Sequence, residues 1–143
     1  MRRNRENEMS GYSATPLLTK LGITPESVVG VIGTRPPEVE IVATAAPEDR
    51  CDVLVSFVTT ETEFVSGLGA WADTITTRGG LWICWPKKSA RKKPEFAHVD
   101  VTEDLVRKHA LPLGLVDNKV CAVSDDWSGL RLVWRVELRN ARQ

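Results

Sequence analysis

A strand, helix, strand succession near the middle of the chain constrains its fold more than any other feature. Asp52 to Val58 is apolar at nearly every position, the pattern of a strand covered on both faces and so of a parallel sheet. Thr60 and Glu63 then form a capping box, with Phe64, Leu68, Trp71 and Ile75 at helical spacing until Arg78-Gly79-Gly80 closes the predicted helix. Leu81 to Trp85 resumes as strand. Strands joined through a helix run parallel, because the helix carries the chain back to its starting end.

The flanks extend this unit. Thr15-Pro16 before Leu17, Leu18 and Leu21, closed by Gly22, reads as a short capped helix. Val28 to Ile32 is a compact apolar run, and Val39 to Ala43 is a weaker candidate strand after the Pro36-Pro37 break. Thr102 caps a second helix with Glu103 and Asp104 in its first turn, Val101 and Val106 as a staple, and Arg107, Lys108 and His109 near its end. Leu115 to Val123 and Leu130 to Leu138 read as two long strands joined by Asp125-Asp126-Trp127-Ser128-Gly129. The last of them alternates, Leu130, Leu132, Trp134 and Val136 on one face and Arg131, Arg135 and Glu137 on the other.

The expected fold class is therefore α/β, a mostly parallel sheet ending in an antiparallel hairpin. At 143 residues the chain suits one domain, expected over 11–139 between a disordered basic tail at 1–10 and a short tail at 140–143. Met9 offers an alternative start.

Charge and cysteine content narrow the function classes. Lysine plus arginine and aspartate plus glutamate number 19 each, so no global field favours nucleic acid or a membrane surface. The polar segment Met1 to Glu8 has no apolar stretch behind it of the kind a signal peptide or membrane span needs, and a cytoplasmic protein is expected. Cys84 and Cys121 lie in apolar runs and Cys51 opens a strand, with no zinc spacing among them; all three are read as reduced, inert thiols.

A parallel sheet finished by an antiparallel hairpin resembles the Rossmann-like fold of class I methyltransferases. The cofactor loop of that fold is glycine-rich and leads into a helix. Here Gly30-Val31-Ile32-Gly33-Thr34-Arg35-Pro36-Pro37 runs into a proline pair that supplies no amide donors, so no cofactor is called for. The motifs Gly11-Tyr12-Ser13-Ala14-Thr15-Pro16-Leu17, Gly80-Leu81-Trp82, Trp85-Pro86-Lys87-Lys88, Leu111-Pro112-Leu113-Gly114-Leu115 and Trp127-Ser128-Gly129-Leu130-Arg131 together resemble the pattern of an uncharacterised, mainly actinobacterial family known as a domain of unknown function, 3052-like. The resemblance implies the same fold and no known reaction. Thr34 to Arg50, polar and lean, and the basic loop Ser89 to Val99 depart from that pattern.

Ligands of open parallel sheets bind beyond the carboxyl ends of the strands. The residues expected there are Arg35 after the first strand, Thr60 after the central one, Trp85, Lys87 and Lys88 after the next, and Asp126, Trp127 and Ser128 in the hairpin turn. An indole with two ammonium groups suits an anionic small molecule; the plainer reading is a solvated loop. Arg91, Lys92 and Lys93 extend the patch, though no recognition motif supports nucleic acid. Neither His98 nor His109 has a neighbour that would make it a catalytic base, and no catalytic or metal set is complete. The expected function is a noncatalytic module for an anionic ligand or a protein partner, the alternative a diverged transferase of the methyltransferase-like fold. Homodimerisation through the edge of the final strand is a further expectation.

Overall fold

The computed structural model describes residues 16–140. The expected tail at 1–10, the Gly11-Tyr12-Ser13 segment, the Thr15 cap and residues 141–143 lie outside them. Five strands form one sheet in the order β1-β2-β3-β5-β4: β1 (Val29–Ile32), β2 (Cys51–Phe57), β3 (Ile75–Pro86), β4 (Leu115–Ala122) and β5 (Trp127–Trp134). The first three are parallel, and β5 is antiparallel to both β3 and β4. β4 therefore points the same way as the first three, and a single reversed strand is inserted beside the far edge. This is a Rossmann-like α/β layout.

Helix α2 (Glu61–Thr74) starts as its capping box dictates, the Thr60 hydroxyl accepting from the Glu63 amide at 3.2 Å. It ends earlier than the spacing predicts. Ile75-Thr76-Thr77 is a β-branched run that resists the helix and pairs more readily as strand, and Ile75 lies opposite Cys51. Helix α3 (Glu103–Ala110) follows expectation: Thr102 caps Leu105 at 3.2 Å, and the staple residues Val101 and Val106 are fully buried.

Side chains alternate across the sheet and build a core on each face. On one face Leu54, Ile83, Leu130 and Leu132 pack under Phe64, Leu68 and Ala72 of α2 and Val106 and Ala110 of α3. On the other, Val53, Val55, Phe57, Trp82 and Trp127 pack under Leu21 of the short helix α1 (Leu17–Leu21) and under Val39 and Ile41. Gly22 closes α1 at φ 79°, and the Trp82 indole donates to the Leu21 carbonyl at 3.0 Å.

Four expectations are corrected. Val39 to Ala43 forms no strand: Val39 donates back to Pro36 in a turn, and only the side chains of Val39 and Ile41 enter the core. The same connection wraps β1, with Thr44 and Ala45 donating to the Val29 carbonyl and the Thr44 hydroxyl accepting from the Val29 amide, which covers that edge. The hairpin turn lies earlier than expected, so Trp127, Ser128 and Gly129 belong to β5, paired with Pro86, Trp85 and Cys84 because β3 runs on to Pro86. Ser124 makes the turn instead, its hydroxyl accepting from the Asp126 and Trp127 amides. At the other end β5 stops at Trp134, where its partner β4 begins, and Val136 is 72% exposed in a following turn. Finally, β5 is flanked on both sides. Its edge is not available to a second copy; the outer edge there belongs to β4.

Candidate functional site

A cleft of about 410 Å³ opens at the carboxyl ends of β1 and β2 and beside the β4–β5 turn, within the size range of small-molecule sites. Gly33 leaves β1 at φ 83°, with no room for a side chain against the Phe57 carbonyl, and turns the chain into the first wall, Thr34 to Glu38. Phe57 and Thr59 come from the end of β2 and Glu63 from the first turn of α2. Glu95, Phe96, Asp126 and Trp127 make the opposite wall.

The aromatic part is a fixed cluster. Phe57 and Phe96 each meet Trp127 edge to face, with centroids 5.6 and 6.0 Å away. Trp127 is 6% exposed and serves the core as well as the cleft. Arg35 is turned to its own wall: its guanidinium donates to the carbonyls of Val39 and Pro36. Glu38 accepts from the Ser124 hydroxyl at 3.1 Å, so the first wall is tied to the hairpin turn. Glu63 accepts from the Thr59 amide at 2.9 Å. Lys93 pairs with Asp126 at 2.6 Å, and the Lys87 amide donates to the Asp126 carbonyl at 2.7 Å. Both bonds hold the connection after β3 against the turn.

Among the residues predicted to gather here, the cleft brings together Arg35, Asp126 and Trp127. The others lie elsewhere. Thr60 caps α2, and Thr59 takes its place in the lining. Trp85 is 5% exposed and packs in the core under the helices, with Ser128 its cross-strand partner on that face. Lys87 and Lys88 precede and open a short 3-10 turn (Lys88–Lys92) and do not line the cleft. A turn that follows a strand takes its side chains out of the alternation, so adjacency in sequence did not become adjacency in space. Arg91 is also spent, donating to the Val101 carbonyl. Among the described residues the expected basic edge is thus an acidic one, lined by Glu38, Glu63, Glu95 and Asp126 against Arg35 alone.

Sequence reading missed Phe57, Phe96 and these glutamates. Phe96 stood in a segment dominated by lysines, and only the covering of the sheet end gives it a role. The link between α2 and its neighbours was equally hidden: Asp100 accepts from the Glu61 amide at 2.7 Å, His98 meets the Thr59 hydroxyl at 3.3 Å, and His109 meets Glu61 at 2.9 Å. The thiols remain away from the cleft lining. Burial pushes Cys84 well above the usual thiol range, the neighbouring Cys121 adding to it. Cys121 is also raised by burial despite Lys20 and Lys119, and Cys51 by burial with help from Asp49 and Asp52. Protonated thiols are poor nucleophiles.

No family model and no curated protein matches the chain. Solved structures with a similar arrangement include a magnesium protoporphyrin IX methyltransferase from Synechocystis PCC 6803 with bound SAH, at 15% identity and a TM-score of 0.46, covering 61% of this chain and 46% of that one. The N-methyltransferase NodS from Bradyrhizobium japonicum WM9 shows 13% identity and a TM-score of 0.43 over 64% and 57% of the two chains. A ribosomal protein L11 methylase from Lactobacillus delbrueckii subsp. bulgaricus shows 8% and 0.42 over 62% and 39%. The chain thus spans about two fifths to three fifths of the length of these proteins. Among the described residues no helix is long and apolar enough to cross a membrane.

Proposed function

We propose that this chain is a noncatalytic binding module whose small-molecule ligand enters the cleft between the Thr34 to Glu38 wall and the Phe96 and Trp127 wall. The observation that carries the reading is the cleft itself: an opening of about 410 Å³ at the carboxyl ends of parallel strands, with a packed aromatic cluster on one side. Among the described residues the lining hydroxyl that meets an imidazole is Thr59, at a long 3.3 Å from His98 with no carboxylate orienting that ring, and the thiols are held protonated away from the lining. The anionic ligand expected from Lys87 and Lys88 is not favoured, since neither reaches the lining. A thermal-shift screen against nucleotides, acyl-CoAs, aromatic amines and aromatic acids tests the reading. Hits should weaken on Phe96→Ala and be indifferent to Lys87→Ala; a screen without hits, or hits indifferent to Phe96, refutes it.

A diverged transferase of the methyltransferase-like fold is the second reading, favoured by the reversed strand inserted second from the edge and by the cleft lying at the carboxyl strand ends. Calorimetry with S-adenosylmethionine decides it, absence of heat at millimolar concentration removing the idea.

A further inference from the structure

Resting on the reading of this cleft as a binding site, we infer that its ligand is a cation, an organic ammonium or guanidinium carried on an apolar or aromatic body. Among the described residues the lining holds the carboxylates of Glu38, Glu63, Glu95 and Asp126 and a single cationic side chain, Arg35. That guanidinium is committed to the carbonyls of Pro36 and Val39. Its Nη1 makes both bonds and so ties the guanidinium to the wall, where it is the minority charge facing four carboxylates.

The carboxylates are compensated unequally. Asp126 has Lys93 at 2.6 Å. Glu38 and Glu63 each receive one neutral hydrogen bond, from the Ser124 hydroxyl and the Thr59 amide, and Glu95 accepts no hydrogen bond from a described residue. Lys93 is itself held to the protonated form first by its bond to Asp126, with Glu95 and Glu38 contributing, so the rim already draws in an ammonium. An anion entering here meets like charges at short range, whereas a cation gains from each of them. Phe96, the half-buried ring of the cluster, favours the same sign, since aromatic faces attract cations. Shape and charge therefore select together: the rings accept the body and the glutamates the charged head.

The test uses the whole chain and three probes of one shape and different charge, phenethylamine, phenylethanol and phenylacetate, measured by calorimetry at low and high salt. Phenethylamine should bind at least about tenfold more tightly than phenylethanol, a margin of about 1.4 kcal/mol, with phenylacetate weakest and the margin shrinking in salt. Glu95→Gln and Glu38→Gln should each lower the preference by about two- to fivefold. Phenylacetate binding as well as phenethylamine, with both lost in Phe96→Ala, overturns the cation inference and leaves the binding site standing. A preference for phenethylamine untouched by both glutamine variants also overturns it, placing the ammonium elsewhere. No binding by any probe, beside an empty ligand screen, overturns the inference together with the site.

Discussion

The two faces of the sheet are roofed by different kinds of structure. Over Leu54, Ile83 and Leu130 lie α2 and α3, two capped helices whose apolar residues recur at helical spacing. Over Val55, Trp82 and Trp127 lie a five-residue helix, a loop that contributes Val39 and Ile41, and the half-buried Phe96. Both faces are covered by buried apolar side chains, and the cleft at the strand ends is walled mainly from the irregular one. A helix presents a continuous surface that fills the groove above a sheet, whereas a loop makes a few point contacts and leaves space between them. In this fold the space falls where strand ends deliver Phe57, Thr59 and Trp127.

The sharpest way to break the comparison is to remove the largest fully buried side chain from each core. Phe64→Ala under the helices and Trp82→Ala under the loops should each lose about 3–5 kcal/mol in urea unfolding, the usual cost of a large aromatic cavity. A loss of under about 1 kcal/mol for Trp82→Ala would show that the irregular roof is a loose veneer rather than a second core. Next in size, Thr60→Ala removes the α2 cap and should lose about 1 kcal/mol, while Arg35→Ala on the loop side should stay within about 0.5 kcal/mol and instead weaken ligand binding by loosening the first wall.

The same contrast explains what the sequence could disclose. The capping boxes at Thr60 and Thr102, the Val101 and Val106 staple and the apolar run of β2 are local patterns with their own physical signatures, and the helical face was legible from them. The loop face was not. Nothing local marks Val39 and Ile41 as plugs for a core formed by strands far away in sequence, and Phe96 sits in a lysine-rich stretch whose composition suggests solvent. The site inherited this difficulty. Trp127 and Asp126 were placed near the right end of the sheet by the hairpin. The Trp85 side chain, by contrast, is turned to the other face by the alternation of β3, and Lys87, although its amide bonds Asp126, keeps its side chain out of the lining.

A smaller effect sharpens the contrast through pH. Burial raises the folded Cys84 thiol above its unfolded value, so the unfolded chain ionises first and stability is lost as pH rises through about 9. Unfolding midpoints measured from pH 8 to 10 should fall for the wild type and fall less for Cys84→Ala, whose residual slope belongs to Cys51 and Cys121. The smallest change is expected from Lys93→Ala, which removes an exposed ion pair to Asp126. Global stability should be unaltered, and amide exchange in the Lys88–Lys92 turn should quicken; unchanged exchange would mean that the Lys87 to Asp126 backbone bond holds this segment alone.

The position of β5 also bears on the order in which the chain can be finished. β4 is made before β5, yet its place in the sheet is reached only through β5, which lies between it and β3. On a ribosome β1, β2, α2 and β3 can assemble as they emerge, while β4 waits with both edges unpaired until Trp127 to Trp134 has left the tunnel. Completion of the sheet is then a single late event. It closes Trp82 and Cys84 over Gly129 and brings Trp127 to Phe57, so the cleft comes into being only with that last insertion.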